Sequence, residues 1–161
     1  MGLGENAATL LVNPYSTTKK RDMSLEQLDQ VLQAWHVPGE ARLSYVSVPP
    51  HRYESMQEWL AARKDLPNAR AFTARKSIFE LICLIALVQQ VVSTETAIMH
   101  FANTLDIPLL ALMRQKTKHW APMANGKTQV LFAPKASSWV QEIDLSLISE
   151  AMHHPDFAPA M

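Results

Sequence analysis

One cysteine, Cys83, and four glycines are all that this chain of 161 residues has of two residue types from which many recognisable sites are built. A single thiol excludes an internal disulfide framework and any CxxC zinc or redox pair, and it fits a reducing compartment. Gly2, Gly4, Gly39 and Gly126 cannot be written into GxGxxG, GxxxxGK[ST] or GxSxG, so the phosphate loops and the nucleophile elbow are excluded. HExxH and the EF-hand loop are missing as well. Neither sign of charge is in excess: 15 Lys and Arg face 15 Asp and Glu, which excludes a disordered polyelectrolyte and a generally basic nucleic-acid binder. The most apolar stretch, Ile78 to Val88, contains Glu80 and falls well short of the ~20 apolar residues of a membrane span, so it reads as a buried helix. The start, MGLGENAATLLV, lacks the basic region of a signal peptide, and Asn6 spoils the myristoylation pattern that Gly2 would open. What remains is a chain of 18.1 kDa with 48% apolar residues, enough for one domain with a substantial core of its own.

Apolar runs of strand length alternate with amphipathic stretches of helix length, the pattern of a parallel sheet with helical crossovers. Thr9 to Val12 reads as the first strand, closed by Asn13-Pro14. Ser24 is placed as the N-cap of a helix whose Leu25, Leu28, Val31, Leu32 and Trp35 share one face, and Pro38-Gly39 ends it. Leu43 to Val48 is the second strand, followed by a helix from Tyr53 to Lys64. A short third strand near Arg70 to Phe72, a helix Ser77 to Gln89, a fourth strand Val91 to Ser93 and a helix from about Glu95 to Leu105 come next. Strands Leu109 to Met113 and Gln129 to Phe132 and a helix Ile143 to Met152 complete the set, with residues 1–8 as a loose start and 153–161 as a loose tail. The fold expected is α/β, a doubly wound and mostly parallel six-stranded sheet with helices on both faces. In such sheets ligands bind beyond the carboxyl ends of the strands where strand order reverses. With the order 3-2-1-4-5-6, the loops after strands one and four share that crevice.

Three segments there bear chemistry. After strand one, Asn13 to Arg21 offers Tyr15, Ser16, Thr17 and Thr18 and then Lys19, Lys20 and Arg21, hydroxyls and cations of the kind that bind phosphate. After strand four, Ser93-Thr94-Glu95-Thr96-Ala97 opens a helix whose unsatisfied N–H groups attract anions, and Thr96 and His100 are spaced to share a face. After strand five, no Asp or Glu occurs between Ile107 and Gln141, whereas Arg114, Lys116, Lys118, Lys127 and Lys135 do. A solvated turn, an ordinary cap with a core histidine and a solvated basic face would show the same residues; for the loop after strand one, its place at the expected crevice lifts the ligand reading. Trp120 and Pro122 serve either that loop's packing over the sheet or the crevice itself. Cys83 lies inside an apolar helix and reads as a buried, inert thiol.

These residues also resemble a family. Val92 to Pro108, VSTETAIMHFANTLDIP, is similar to the V-x-x-D-T-G-x-x-H-x-A-x-A-L-x-x-P stretch of the lipopolysaccharide heptosyltransferases, glycosyltransferase family 9. Lys76 to Leu81 resembles that family's S-L-x-E-L helix start, Asn13-Pro14 through Lys20-Arg21 its N-P-G-x-x-x-x-K-R loop, and Trp120-Ala121-Pro122 its W-x-P. The likeness runs from about Thr9 to Pro134 and covers only the second of the family's two Rossmann-like domains, the nucleotide-sugar half of a GT-B enzyme. It implies a metal-independent transfer, without cofactor, of a sugar from a nucleotide diphosphate, commonly ADP-heptose, to the lipopolysaccharide core.

By that resemblance Ser16 and Thr17 would contact phosphate, Lys20 would offset the diphosphate charge and Glu54 would accept from ribose hydroxyls. Thr96 and Ala97 would give backbone N–H groups, with His100 lining the pocket and Ser77 and Glu95 completing the donor site. No catalytic residue is expected in this half, and without the acceptor-binding amino-terminal domain the chain is expected to be inactive alone. The implied location is cytoplasmic, peripheral at the inner membrane. Glu95 in place of Asp and Ala97 in place of Gly depart from the pattern and imply weakened donor binding; the family's FGP turn is here Leu112-Met113-Arg114, and its W-P after K-R is Asp22-Met23. A degenerate module retained for protein interaction would show the same departures.

Overall fold

The computed structural model describes residues 7–157, so most of the expected loose start and the last four residues of the expected tail lie outside the described residues. Six strands form one sheet: β1 (Ala8–Asn13), β2 (Arg42–Ser47), β3 (Ala69–Phe72), β4 (Gln90–Thr94), β5 (Leu109–Met113) and β6 (Thr128–Phe132). Their order is β3-β2-β1-β4-β5-β6 and every neighbouring pair is parallel, so the sheet is wholly rather than mostly parallel. The reversal of order falls between β1 and β4, which pair from Leu10↔Gln90 to Asn13↔Ser93. β4 and β5 are buried along their whole length. That is why Leu109 to Met113 reads as an unbroken apolar run: a strand covered on both faces has no solvent side to mark with polar residues.

Helices α1 (Leu25–Trp35), α2 (Tyr53–Ala61) and α5 (Leu145–Met152) cover one face; α3 (Ile78–Leu87) and α4 (Ala97–Thr104) cover the other. α1 begins at Ser24 through a capping box: the Ser24 hydroxyl accepts from Gln27 N, and the Gln27 side-chain Oε1 accepts from Ser24 N, both at 3.0 Å. Its face Leu28, Val31, Leu32 and Trp35 enters the larger core with Val12, Val46, Met56 and Ile148, and the Trp35 indole N–H donates to Leu43 O at 3.1 Å. The smaller core gathers Leu11, Ile85, Val91, Met99, Leu109 and Met113. Gln27 is fully buried, and its amide nitrogen donates to the carbonyls of Val140 and Ile143, welding α1 to the 3-10 turn Val140–Glu142 that precedes α5.

Four expectations change. The third helix is not buried: Ile78, Phe79 and Leu87 are exposed, and so is Cys83, because Leu81, Ile85 and Val88, with Leu84 partly buried beside them, form the inward face. A continuous apolar sequence concealed an amphipathic packing mode. The fourth helix starts later than Glu95, since Thr96 is its N-cap and accepts from Ile98 N. The last helix likewise starts after Asp144, which caps it, and Ile143 is buried ahead of it. The stretch 153–157 is not a loose tail: Phe157 is buried in the larger core, and its carbonyl accepts from the buried Gln90 side chain.

Candidate functional site

Parallel strands deliver all their following loops to one rim, and the reversal between β1 and β4 opens a crevice there because their crossovers run to opposite faces. The loops after β1 and β4 meet in this crevice. Asn13, buried at the end of β1, donates from its side-chain amide to Ser93 Oγ at 3.3 Å and Thr96 Oγ1 at 3.0 Å. The Thr94 hydroxyl donates to the carbonyl of Arg21. The two turns expected to face each other do so, and side chains of both already occupy the space between them.

The loop after β1 is tightly wound. Asp22, buried, accepts from Ser16 N at 2.7 Å, while Ser16 Oγ donates to Thr18 O at 2.7 Å and accepts from Thr18 N. Arg21 N donates back to Thr18 O, and Met23 N to Pro14 O. Ser16 is therefore half-buried and committed to the turn, whereas Thr17, Lys19 and Lys20 project into solvent. Asp22, which stands at a departure from the family pattern, is what holds the loop in this shape.

At the start of α4, Thr96 caps the helix and Ala97 is exposed. Glu95 turns inward instead. Its side chain is 7% exposed, accepts from Thr117 Oγ1 at 2.5 Å and lies 3.9 Å from Arg21 Nε. Thr117 belongs to the 3-10 segment Gln115–Trp120 after β5, so the basic loop does reach the crevice. His100 is exposed and one turn further along α4. Thr96, the cap, is half-buried and accepts from the Asn13 amide, whereas His100, four residues on, is exposed.

On the other side of β1, Glu54 is exposed in the first turn of α2, at the carboxyl end of β2. It lines a cavity of about 300 Å³ with Pro50, His51, Tyr53, Thr73 and Arg75. The Thr73 hydroxyl is buried there with no hydrogen-bond partner among the described residues, and Arg75 lies over the Tyr53 ring at 5.2 Å. Ser77 caps α3, accepting from Phe79 N at 3.0 Å. Glu80 accepts from the backbone N–H groups of Lys76 and Arg75, which hold its carboxyl below the ordinary value of 4.5. A second opening of about 480 Å³ lies beside the β1 loop, between Lys19, Asp22, Ser24 and Arg52, where Arg52 stacks over Tyr15 at 4.2 Å.

Charge is segregated along the strand direction. Arg42, Arg63, Lys64, Arg70 and Lys127 lie towards the amino ends of the strands, and the rest of the 15 Lys and Arg residues lie in loops at the carboxyl rim. Asp22, Glu26, Glu54, Glu80, Glu95, Glu142 and Asp144 share that rim but are outnumbered by its cations, so a neutral chain has a net positive rim, suited to an anionic ligand. The segments Asn13 to Arg21 and Thr94 to Ala97, which resemble family 9 motifs, lie on this same rim. A sequence model of glycosyltransferase family 9 (heptosyltransferase) matches residues 9–144.

The chain belongs to glycosyltransferase family 9.

Solved structures agree on the fold. The chain superposes on E. coli ADP-heptose lipopolysaccharide heptosyltransferase II with a TM-score of 0.72 at 17% identity, covering 92% of this chain and 46% of that one. It superposes on E. coli heptosyltransferase WaaC with ADP at 0.73 and 13% identity, covering 89% and 43%. A family 9 glycosyltransferase from Veillonella parvula gives 0.77 at 13% identity, covering 93% and 46%. The chain thus spans less than half the length of these structures. A search of curated protein sequences returns no match. Sequence reading had located Lys20, Glu54, Glu95 and Thr96 at the rim, but it missed Asn13, Thr94, Arg21 and Thr117 as the groups that tie it together. In the sequence Asn13 marks the end of a strand and the start of the hydroxyl- and cation-bearing loop but gives no sign of its bonds to β4, and Thr117 is hidden between two lysines.

Proposed function

We propose that this chain is the donor-binding domain of a family 9 glycosyltransferase, holding a nucleotide diphosphate sugar, ADP-heptose by class, for transfer to the lipopolysaccharide core. The observation that carries the reading is the junction of the β1 and β4 loops: Asn13 bonded to Ser93 and Thr96 beneath a rim of exposed Lys19 and Lys20. A diphosphate laid across that junction meets the start of α4 on one side and the lysines on the other. Glu54 and its cavity, one strand over, lie where a ribose attached to the phosphates would reach. The leaving group is a nucleoside diphosphate, so this domain's part in the chemistry is to stabilise charge as it develops on the departing oxygen. Lys20 is suited to that role without a metal. The acceptor, and the group that activates it, belong to an amino-terminal domain, and the isolated chain binds donor without turning it over. The assembled enzyme works in the cytoplasm, peripheral to the inner membrane where its acceptor is made.

Calorimetry with ADP tests this. The chain should bind ADP at millimolar concentration or below, and Lys20→Ala should weaken binding about tenfold, the scale of one charge-assisted contact. Thr96→Val should weaken it too, since it removes the α4 cap and one of Asn13's acceptors. A wild-type chain that binds no nucleoside diphosphate would overturn this reading.

A further inference from the structure

Glu95, like Asp22, is a buried carboxylate of the rim, and it is not aimed at solvent. It takes a 2.5 Å hydrogen bond from Thr117 Oγ1 and faces Arg21 Nε at 3.9 Å, while Arg21's own carbonyl is held by the Thr94 hydroxyl. Three loops, from β1, β4 and β5, converge on this side chain, the β5 turn by a hydrogen bond and the β1 loop by a 3.9 Å ion pair that leaves Arg21 Nε without a hydrogen-bond partner among the described residues. Thr117 has a single proton to donate, and Arg114 O at 3.2 Å is the poorer acceptor, so the bond to Glu95 is the one that fixes the turn. On either side of Thr117 stand Lys116 and Lys118, exposed and in no ion pair among the described residues.

We propose that Glu95 and Thr117 form a latch, with Thr117 as a positioning residue that seats the basic turn after β5 so that Lys116 and Lys118 face the diphosphate. The proposal rests on the donor-site reading above and deepens it. The length of Glu95 is then functional: a carboxylate this close to phosphate would repel it, but here it is turned away and anchors two cations to the rim. Without the latch the turn keeps the Arg114 Nε bond to Ser138 O at 3.2 Å, the Gln115 Nε2 bond to Pro134 O at 3.1 Å and the backbone bond from Thr117 N to Arg114 O at 3.3 Å, none of which joins Lys116 or Lys118 to the β1 and β4 loops.

The test is a mutant cycle on ADP binding, read by calorimetry. Thr117→Val should weaken ADP roughly three- to tenfold, the scale of one hydrogen bond's worth of positioning, and Thr117→Ser should restore it. The double variant Lys116→Ala/Lys118→Ala should lose a similar factor. Adding Thr117→Val to that double variant should cost nothing more, because the residue acts only through those lysines. Full additivity would overturn the proposal, and so would wild-type affinity in Thr117→Val. Failure of the wild-type chain to bind ADP would overturn the donor reading and this proposal with it, whereas ADP binding that is indifferent to Thr117 overturns this proposal alone.

Discussion

Asn13 has two amide hydrogens and finds two hydroxyls for them, one in β4 and one in the cap of α4. Leaving such a donor unmet in a buried position costs more than the bond itself returns, so the residue constrains where the β4 loop can go. Glu80 does comparable work at the next loop, where its carboxylate accepts from two consecutive backbone N–H groups, of Lys76 and Arg75. Its lowered pKa sets the sign of a pH effect: the stabilisation is complete above the ordinary carboxyl range and is lost as pH falls through the folded value. Wild-type melting temperature should therefore drop more steeply than that of Glu80→Gln between about pH 6 and pH 3, as followed by circular dichroism. Equal slopes would show that these bonds do not stabilise the fold.

Among the elements, α3 shows what one sequence can and cannot disclose. The strand and helix alternation, the cap at Ser24 and the run of β5 were legible because each leaves a local mark: a hydroxyl at a helix start, or an unbroken apolar stretch of strand length. The inward face of α3 was not legible. With Ile78, Phe79, Leu81, Ile82, Leu84, Ile85 and Leu87 in one helix, hydropathy contains no contrast from which to choose a side; the sheet beneath chooses it. The site divides in the same way. Exposed cations and a hydroxyl-rich helix start can be read off, but the hydrogen bonds joining Asn13, Thr94, Arg21 and Thr117 depend on strand order, which no local pattern encodes. Urea unfolding of two α3 variants checks the assignment of faces. Ile85→Ala should cost roughly 2–5 kcal/mol, whereas Phe79→Ser should stay within about 0.5 kcal/mol of wild type. A reversed result would mean that α3 packs through its other face.

At the scale of the whole molecule, the sheet has two unlike edges: a cationic rim of loops at the carboxyl ends and, opposite it, the turns that begin each strand. Both limits of the described fold lie on that opposite side. Ala8 opens β1, Gln90 opens the adjacent strand β4, and Phe157 is fastened to Gln90. Residues 8 and 157 both lie at the origin of the central strands, away from the crevice where Lys20 and Thr117 stand. Splicing these two points with a short Gly-Ser bridge and opening the chain instead at the exposed turn around Gly39 should yield a circular permutant that folds and retains the wild-type ADP affinity, measured side by side with the unpermuted protein. Loss of affinity in a folded permutant would show that rim and origin are energetically linked. If affinity is kept, the domain is a plug-in cassette: cargo can be grafted at its base, as a reporter, a surface tether or a second binding unit, while its ligand-facing mouth stays unobstructed.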